Sequence, residues 1–290
     1  MLVCILVFVR IFSPFAIINL KDTCWSKAHN PSKNNLMYKK IVPLQTELHG
    51  KLKLKSNNSF SFAADIHVAA IMANEFYRAA STYPIVFIED AGKDGFMPVV
   101  LLGLKENENL FVDANGHWDA AYVPAILRRY PFALARTTEE GQYTVCIDEE
   151  SDFFSEEEGQ SLFDNNGKPE DVLEKVKTYL AQLQQMEQLT RQFCETLKEH
   201  NLLAPLNMRV QKENAVQNIT GAYAVNDERL SHLSDATFLE LRQKNFLPLI
   251  YGHLVSITQI ERLVQMRDHN TVQVKEQPHE LTTDNSQSEA

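Results

Sequence analysis

Between Met37 and Asn270 the apolar residues change period several times, recurring at two-residue steps in some stretches and at three- and four-residue steps in others. Two-residue alternation lays one face of a strand on a core, and a 3.6-residue period does the same for a helix. A chain that keeps switching between them builds an α+β domain. IHVAAIMANEFYRAAS, preceded by Asp65 as N-cap, is predicted as a helix with Val68, Ile71, Met72, Phe76 and Ala79 on one face. Pro84 then opens the β-rich run IVFIE. FMPVVLLGL and ENLFVDA read as two strands joined by the polar turn KENEN. FALARTT and QYTVCID read as a second hairpin across EEGQ, where Gly141 can adopt a positive φ. Between them, YVPAILRRYP is a short helix with Pro124 in its first turn and Pro131 at its end.

The second half opens on an acidic loop, SDFFSEEEGQSLFDNNGK, and Pro169, Glu170 and Asp171 then start a long helix over about 169–200. Its stripe of Val172, Val176, Leu180, Leu183, Met186, Leu189, Phe193 and Leu197 belongs to a core, although it could also pair with a second copy in a homodimer. LNMRVQ and VQNITGAYAV suggest a further hairpin. Two helices follow, one capped by Ser234 over ATFLELRQKN and one started by Pro248 over LIYGHLVSITQIERLVQM. The expected architecture is a largely antiparallel sheet built from hairpins, with inserted and flanking helices. No internal repeat is visible. No apolar run from Met37 onward reaches the roughly 18 residues of a membrane span, so that part holds no transmembrane domain.

Both ends differ from this middle. Residues 1–36 begin with a nearly all-apolar stretch broken by Arg10 and Pro14 and hold four basic residues and one acid, a local charge of +3 in a chain of net charge -10. Neither a basic n-region nor a small-residue cleavage site is clear, and an Arg at the centre of a spanning helix would be costly. The first reading is that translation starts at Met37; an anchor or signal and a structured extension are the alternatives. The cytoplasm is the expected location, or the envelope if residues 1–20 anchor the chain. Residues 271–290 have the composition of a disordered acidic tail. The negative charge opposes nucleic-acid binding, which requires Lys and Arg to displace counterions. Cys4, Cys24, Cys146 and Cys194 are too widely spaced for a zinc or redox motif.

Three groups of residues could carry chemistry. His117 and Asp119 have the His-x-Asp spacing of an iron-binding facial triad, with His200, His232 or His253 as a third ligand, against the simpler reading of a turn histidine beside a solvated aspartate. Asp148, Glu149, Glu150, Asp152 and Glu156 to Glu158 form an acidic run whose hydrated setting lacks the asymmetry that acid–base catalysis needs. Arg128 and Arg129, at the end of the short helix, could hold a carboxylate or phosphate, or could serve the helix dipole and pair with Asp119. Phosphate-loop, dinucleotide, serine-hydrolase and zincin motifs are all missing.

Several blocks, in order, carry a resemblance: MYKKIVPLQTELHGKLKL, FVDANGHWDAAYVPAILRRYPFAL, CIDEES, GQSLFDNNG, GAYAVNDERL and LIYGHLVSITQIERL. Together they resemble the bacterial SapC family, whose name comes from a surface-layer gene cluster, over about Met37 to Leu263. The resemblance implies a start at Met37. It also implies association with surface layers, or with genes for outer-membrane uptake receptors, cupin-like oxygenases and tryptophan halogenases. It suggests a shared site around Trp118, Tyr122, Arg128, Arg129, Tyr130 and Phe132. The expected function is a non-catalytic accessory protein that binds a protein or peptide partner, with no cofactor predicted. The alternatives are a metal-dependent oxygenase using His117 and Asp119, and a structural surface-layer component.

Overall fold

The structure, a computed structural model, describes residues 18–19, 37–90, 95–137, 142–206, 208–212, 215–219 and 221–276. The readings of the leader, apart from Ile18–Asn19, of Gly141 in the EEGQ turn and of the chain beyond 276 lie outside the described residues. Five strands form the central sheet, in the order Leu203–Pro205, Ala222–Val225, Ile85–Glu89, Phe96–Leu101 and Val68–Ala70, with every neighbouring pair antiparallel. IVFIE and FMPVVL are continuous apolar runs because they lie inside this sheet with buried side chains.

The hairpin Phe132–Arg136 and Tyr143–Asp148 forms as expected and makes a second sheet. Ile41–Pro43 pairs antiparallel on one side of it, and Ile18–Asn19 pairs parallel on the other. Beside it lies a small antiparallel sheet of Gln160–Ser161, Lys53–Leu54 and Phe154–Ser155. The last hairpin is Met208–Lys212 with Ala215–Ile219.

The long helix spans Asp171–Glu199 and ties two cores together. Leu173, Leu180 and Leu183 pack with Phe132, Ile147 and Leu162 under the second sheet, whereas Phe193, Cys194 and Leu197 enter the main core with Phe76, Phe87 and Ile250. Most of the stripe that could have served a homodimer is therefore turned inward, and Leu189 is its one exposed member. The segment from Tyr38 is equally fixed. Its hydroxyl donates to Phe132 O at 2.8 Å, and the N–H groups of Lys39 and Lys40 donate to the fully buried Asp148 carboxylate at 2.9 and 2.8 Å.

Three expectations change. The segment read as a helix over 66–81 is a strand, Val68–Ala70, then a 3-10 turn, Ala73–Glu75, and one α-helical turn, Phe76–Ala79. Its backbone is satisfied from afar: Val68–Ala70 pairs with Val99–Leu101, and Ala73 N donates to Thr190 Oγ1 at 2.9 Å. ENLFVDA forms no ladder; Leu110 N bonds Leu102 O, and Val112 bridges Trp118. The helix after Pro248 is two helices, Leu247–Ser256 and Gln259–Glu276. They part where the hydroxyls of Ser256 and Thr258 donate to the carbonyls of His253 and Val255, at 2.6 and 2.8 Å, in competition with helical N–H donors. The second runs past the expected edge at 270.

One turn occurs twice. Asp113-Ala-Asn-Gly-His-Trp-Asp and Asp164-Asn-Asn-Gly-Lys-Pro-Glu fold alike. In each, Asp Oδ1 accepts two backbone N–H groups, from Asn115 and His117 in one and from Asn166 and Lys168 in the other, all at 2.8 Å. The glycine N–H closes onto the Asp carbonyl, the residues flanking the turn form an isolated bridge, and Gly116 and Gly167 take φ of 79° and 76°. These N–H bonds, led by those of His117 and Lys168, hold both carboxyls below the usual aspartate range.

Candidate functional site

The short helix is the single turn Ala125–Arg128, preceded by Pro124, and its Ala125, Ile126 and Leu127 are buried. Burial of three consecutive side chains leaves Arg128 as the residue of this turn that faces out. The orphan N–H at the start of the turn needs an acceptor, and it comes from a residue that the sequence did not single out. Glu75 reaches across from its 3-10 turn: Oε1 accepts from Ala125 N at 2.7 Å and from the Tyr122 hydroxyl, and Oε2 accepts from Met72 N at 2.9 Å. With 4% of its surface accessible, this carboxylate is sealed inside the protein.

Arg128 lies over the resulting platform. Its Nε donates to Val123 O at 3.0 Å, and its guanidinium carbon stands 5.6 Å from the Tyr122 ring centroid and 5.7 Å from that of Tyr179. Both distances are within reach of a cation–π attraction. A second cation, Arg78, stands 6.0 Å from the Tyr122 ring. Tyr179 comes from the long helix and is locked by its hydroxyl donating to Ala125 O at 3.1 Å. It also borders an open, shallow cavity of about 410 Å³ lined by Asp171, Glu174, Lys175, Thr178 and Gln182. Burial, reinforced by the Glu75 carboxylate, holds the Tyr122 phenol above the ordinary tyrosine range, so it remains a proton donor to Glu75 at neutral pH.

The other residues of the expected block are divided among different tasks. Trp118 donates its indole N–H to Tyr83 Oη at 2.9 Å and to Tyr122 O at 3.1 Å, and it stacks on Phe111, so it fixes the backbone behind Tyr122. Arg129 turns to another place, donating to Tyr38 Oη at 3.1 Å. Tyr130 is buried, stacked on Phe62 with centroids 4.0 Å apart, and donates to Asp148 Oδ2 at 3.1 Å. Burial, aided by the Asp148 carboxylate, pushes its phenol up to about 12. Phe132 is 3% exposed and packs edge-on to Phe154. Tyr130 and Phe132 are therefore core residues, Tyr122 is itself buried beneath its arginine, and the outward part of the block reduces to Arg128, joined by Arg78 and the half-buried Tyr179.

Among the described residues, His117 and Asp119 gather no third metal ligand. His117 is exposed on the first repeated turn with Nδ1 3.2 Å from Asp113 Oδ2. The three candidate third ligands are engaged elsewhere: His200 faces Glu240 at 3.4 Å, His232 bonds Glu228 O at 2.7 Å, and His253 is wholly buried with both ring nitrogens bonded to backbone. Among the described residues no three His, Cys, Asp or Glu side chains form a group that could hold a metal. The acidic run divides similarly, since Asp148 is the buried anchor of Lys39 and Lys40, and Glu149 pairs with Lys40 at 2.6 Å. Cys146 and Cys194 are free and buried, and burial pushes both thiols up, Cys146 to about 12, so neither is a poised nucleophile.

Among known proteins, the family model described as SapC matches residues 44–263. No curated protein matches, and no solved structure does. Among the described residues no helix is long and apolar enough to cross a membrane.

Proposed function

Because the chain belongs to the SapC family, we propose that it is a non-catalytic accessory protein of a bacterial envelope, surface-layer or peptide-processing system, and that it binds a protein or peptide partner at the face built by Tyr122, Arg128 and Tyr179. One observation carries this reading. Arg128 is exposed and held in place by a carbonyl and two tyrosine rings, and among the described residues it has no carboxylate within 4.0 Å. Desolvated or aromatic-backed arginine with adjacent tyrosine is the composition that dominates binding energy at protein interfaces. The raised Tyr122 phenol favours recognition over proton abstraction.

The test places a photo-crosslinking amino acid at Thr178, which lines the cavity beside Tyr179, in the full-length protein expressed in its native cell. A discrete adduct is expected, and it should fall at least about tenfold in the double variant Arg128→Ala, Arg129→Ala at unchanged melting temperature, the loss typical of an interface arginine. An adduct of equal yield in that variant would remove the reading.

A further inference from the structure

We infer that Arg78 and Arg128 form a carboxylate-binding site around the Tyr122 ring, so that the partner presents an acidic side chain or chain terminus here; this rests on the binding face proposed above. The two guanidinium carbons lie 6.0 and 5.6 Å from one ring centroid. That ring cannot swing away: its hydroxyl is fixed to Glu75, and the backbone carbonyl of the same residue accepts from both Tyr83 Oη and Trp118 Nε1. Arg128 spends its Nε on Val123 O, and Nη2 makes only a long 3.4 Å contact to the Tyr122 hydroxyl, so on this exposed residue the Nη edge keeps no other hydrogen-bond partner among the described residues. Such an edge is a fork matched to a planar carboxylate.

The charge balance around the ring points the same way. Glu75 is the carboxylate of this cluster, and its oxygens are taken by Met72 N, Ala125 N and the Tyr122 hydroxyl. Its single negative charge offsets one arginine and leaves the other uncompensated. The chain has 38 acidic against 28 basic residues, yet among the described residues neither Arg78 nor Arg128 has an ion-pair partner within 4.0 Å. These three groups around the ring sum to +1, and the adjoining cavity adds Asp171, Glu174 and Lys175. That combination suits a monoanion and opposes a phosphate dianion, which gathers several cations or a nest of backbone N–H groups.

The full-length chain is titrated calorimetrically with capped hexaglutamate, capped hexaglutamine and inorganic phosphate. Hexaglutamate is expected to bind at least about tenfold more tightly than hexaglutamine, and Arg78→Gln and Arg128→Gln should each weaken it about fivefold or more, a charge-assisted bond each. Arg128→Lys, which keeps the charge and loses the fork, should recover only part. Arg78 is exposed and has no ion pair among the described residues, so R78Q reports on the site even if Arg128 variants unfold. Equal binding of hexaglutamine, tighter binding of phosphate, or an R78Q titration identical to wild type overturns the inference. A partner adduct that depends on Arg128 and Arg129 but does not yield to hexaglutamate also sinks the carboxylate assignment and spares the binding reading. Hexaglutamate binding that needs Arg78 and Arg128, with an adduct indifferent to them, supports the site and removes that reading.

Discussion

His253 joins segments remote in sequence. Val225 N donates to its Nε2 at 3.0 Å, so the proton must sit on Nδ1, which donates to Ile85 O at 2.8 Å. The ring is therefore neutral, and it also packs on Phe87 with centroids 5.0 Å apart. Burial pushes its pKa down to about 4 from an ordinary value near 6.5. Between those values the unfolded chain takes up a proton that the folded chain refuses, so this contribution is complete above about 6.5 and lost as pH falls toward 4. The loss approaches about 3 kcal/mol. Urea midpoints measured at pH 7.5, 6 and 5 should fall for the wild type more steeply than for His253→Gln. Equal slopes would refute the assignment. Nothing local announced this role, because the two backbone partners lie 168 and 28 residues away. Glu75 was hidden for the same reason, its partner Ala125 being 50 residues distant. Arg128, by contrast, was singled out by its place at the end of the short helix, and Tyr122, six residues before it, by the family resemblance.

At the level of elements, legibility followed how local the determining contacts are. The helix over Asp171–Glu199, the Ser234 cap and the hairpin after Phe132 are coded within a few residues, and the structure has them. The short helix Asp227–Ser231 was overlooked although Asn226 is a recognisable cap, its Oδ1 accepting from Arg229 N at 2.8 Å. The 66–81 segment fails for a different reason. Its apolar spacing suits a helix, but strand pairing with Val99–Leu101 supplies a better use for its N–H groups. The long helix, whose two halves serve different cores, makes a sharp prediction. Gln185→Pro, at an exposed position in its middle, should cost at least about 3 kcal/mol through the lost bond and the ring clash, whereas Gln185→Ala should be neutral or slightly stabilising in urea unfolding. A proline variant as stable as wild type would show that the halves do not depend on one another.

The whole molecule carries a net charge of -10 and presents its arginine pair within that field. Salt then separates two ranges of interaction. At about 0.01 M the screening length of about 30 Å lets an approaching acidic peptide feel the entire chain, and at about 0.15 M the length of about 8 Å confines it to nearby cations. Hexaglutamate should therefore bind more tightly at 0.15 M than at 0.01 M and weaken again toward 1 M. A steady decline from the lowest salt upward would mean that the arginines outweigh the global charge at all distances.

The turn that occurs twice gives the chain a substitution experiment on itself. Both copies keep the aspartate, the asparagine and the left-handed glycine, while His117 stands where the other copy has Lys168, and Trp118 where it has Pro169. A lysine forms the same turn, so the loop makes no demand for an imidazole at that place. A proline does as well as tryptophan for closing it, and the indole therefore owes its place to what lies beyond the loop, the Tyr83 hydroxyl and the Tyr122 carbonyl that it grips. Two stretches of one polypeptide thus separate what a loop needs in order to close from what it carries for its neighbours.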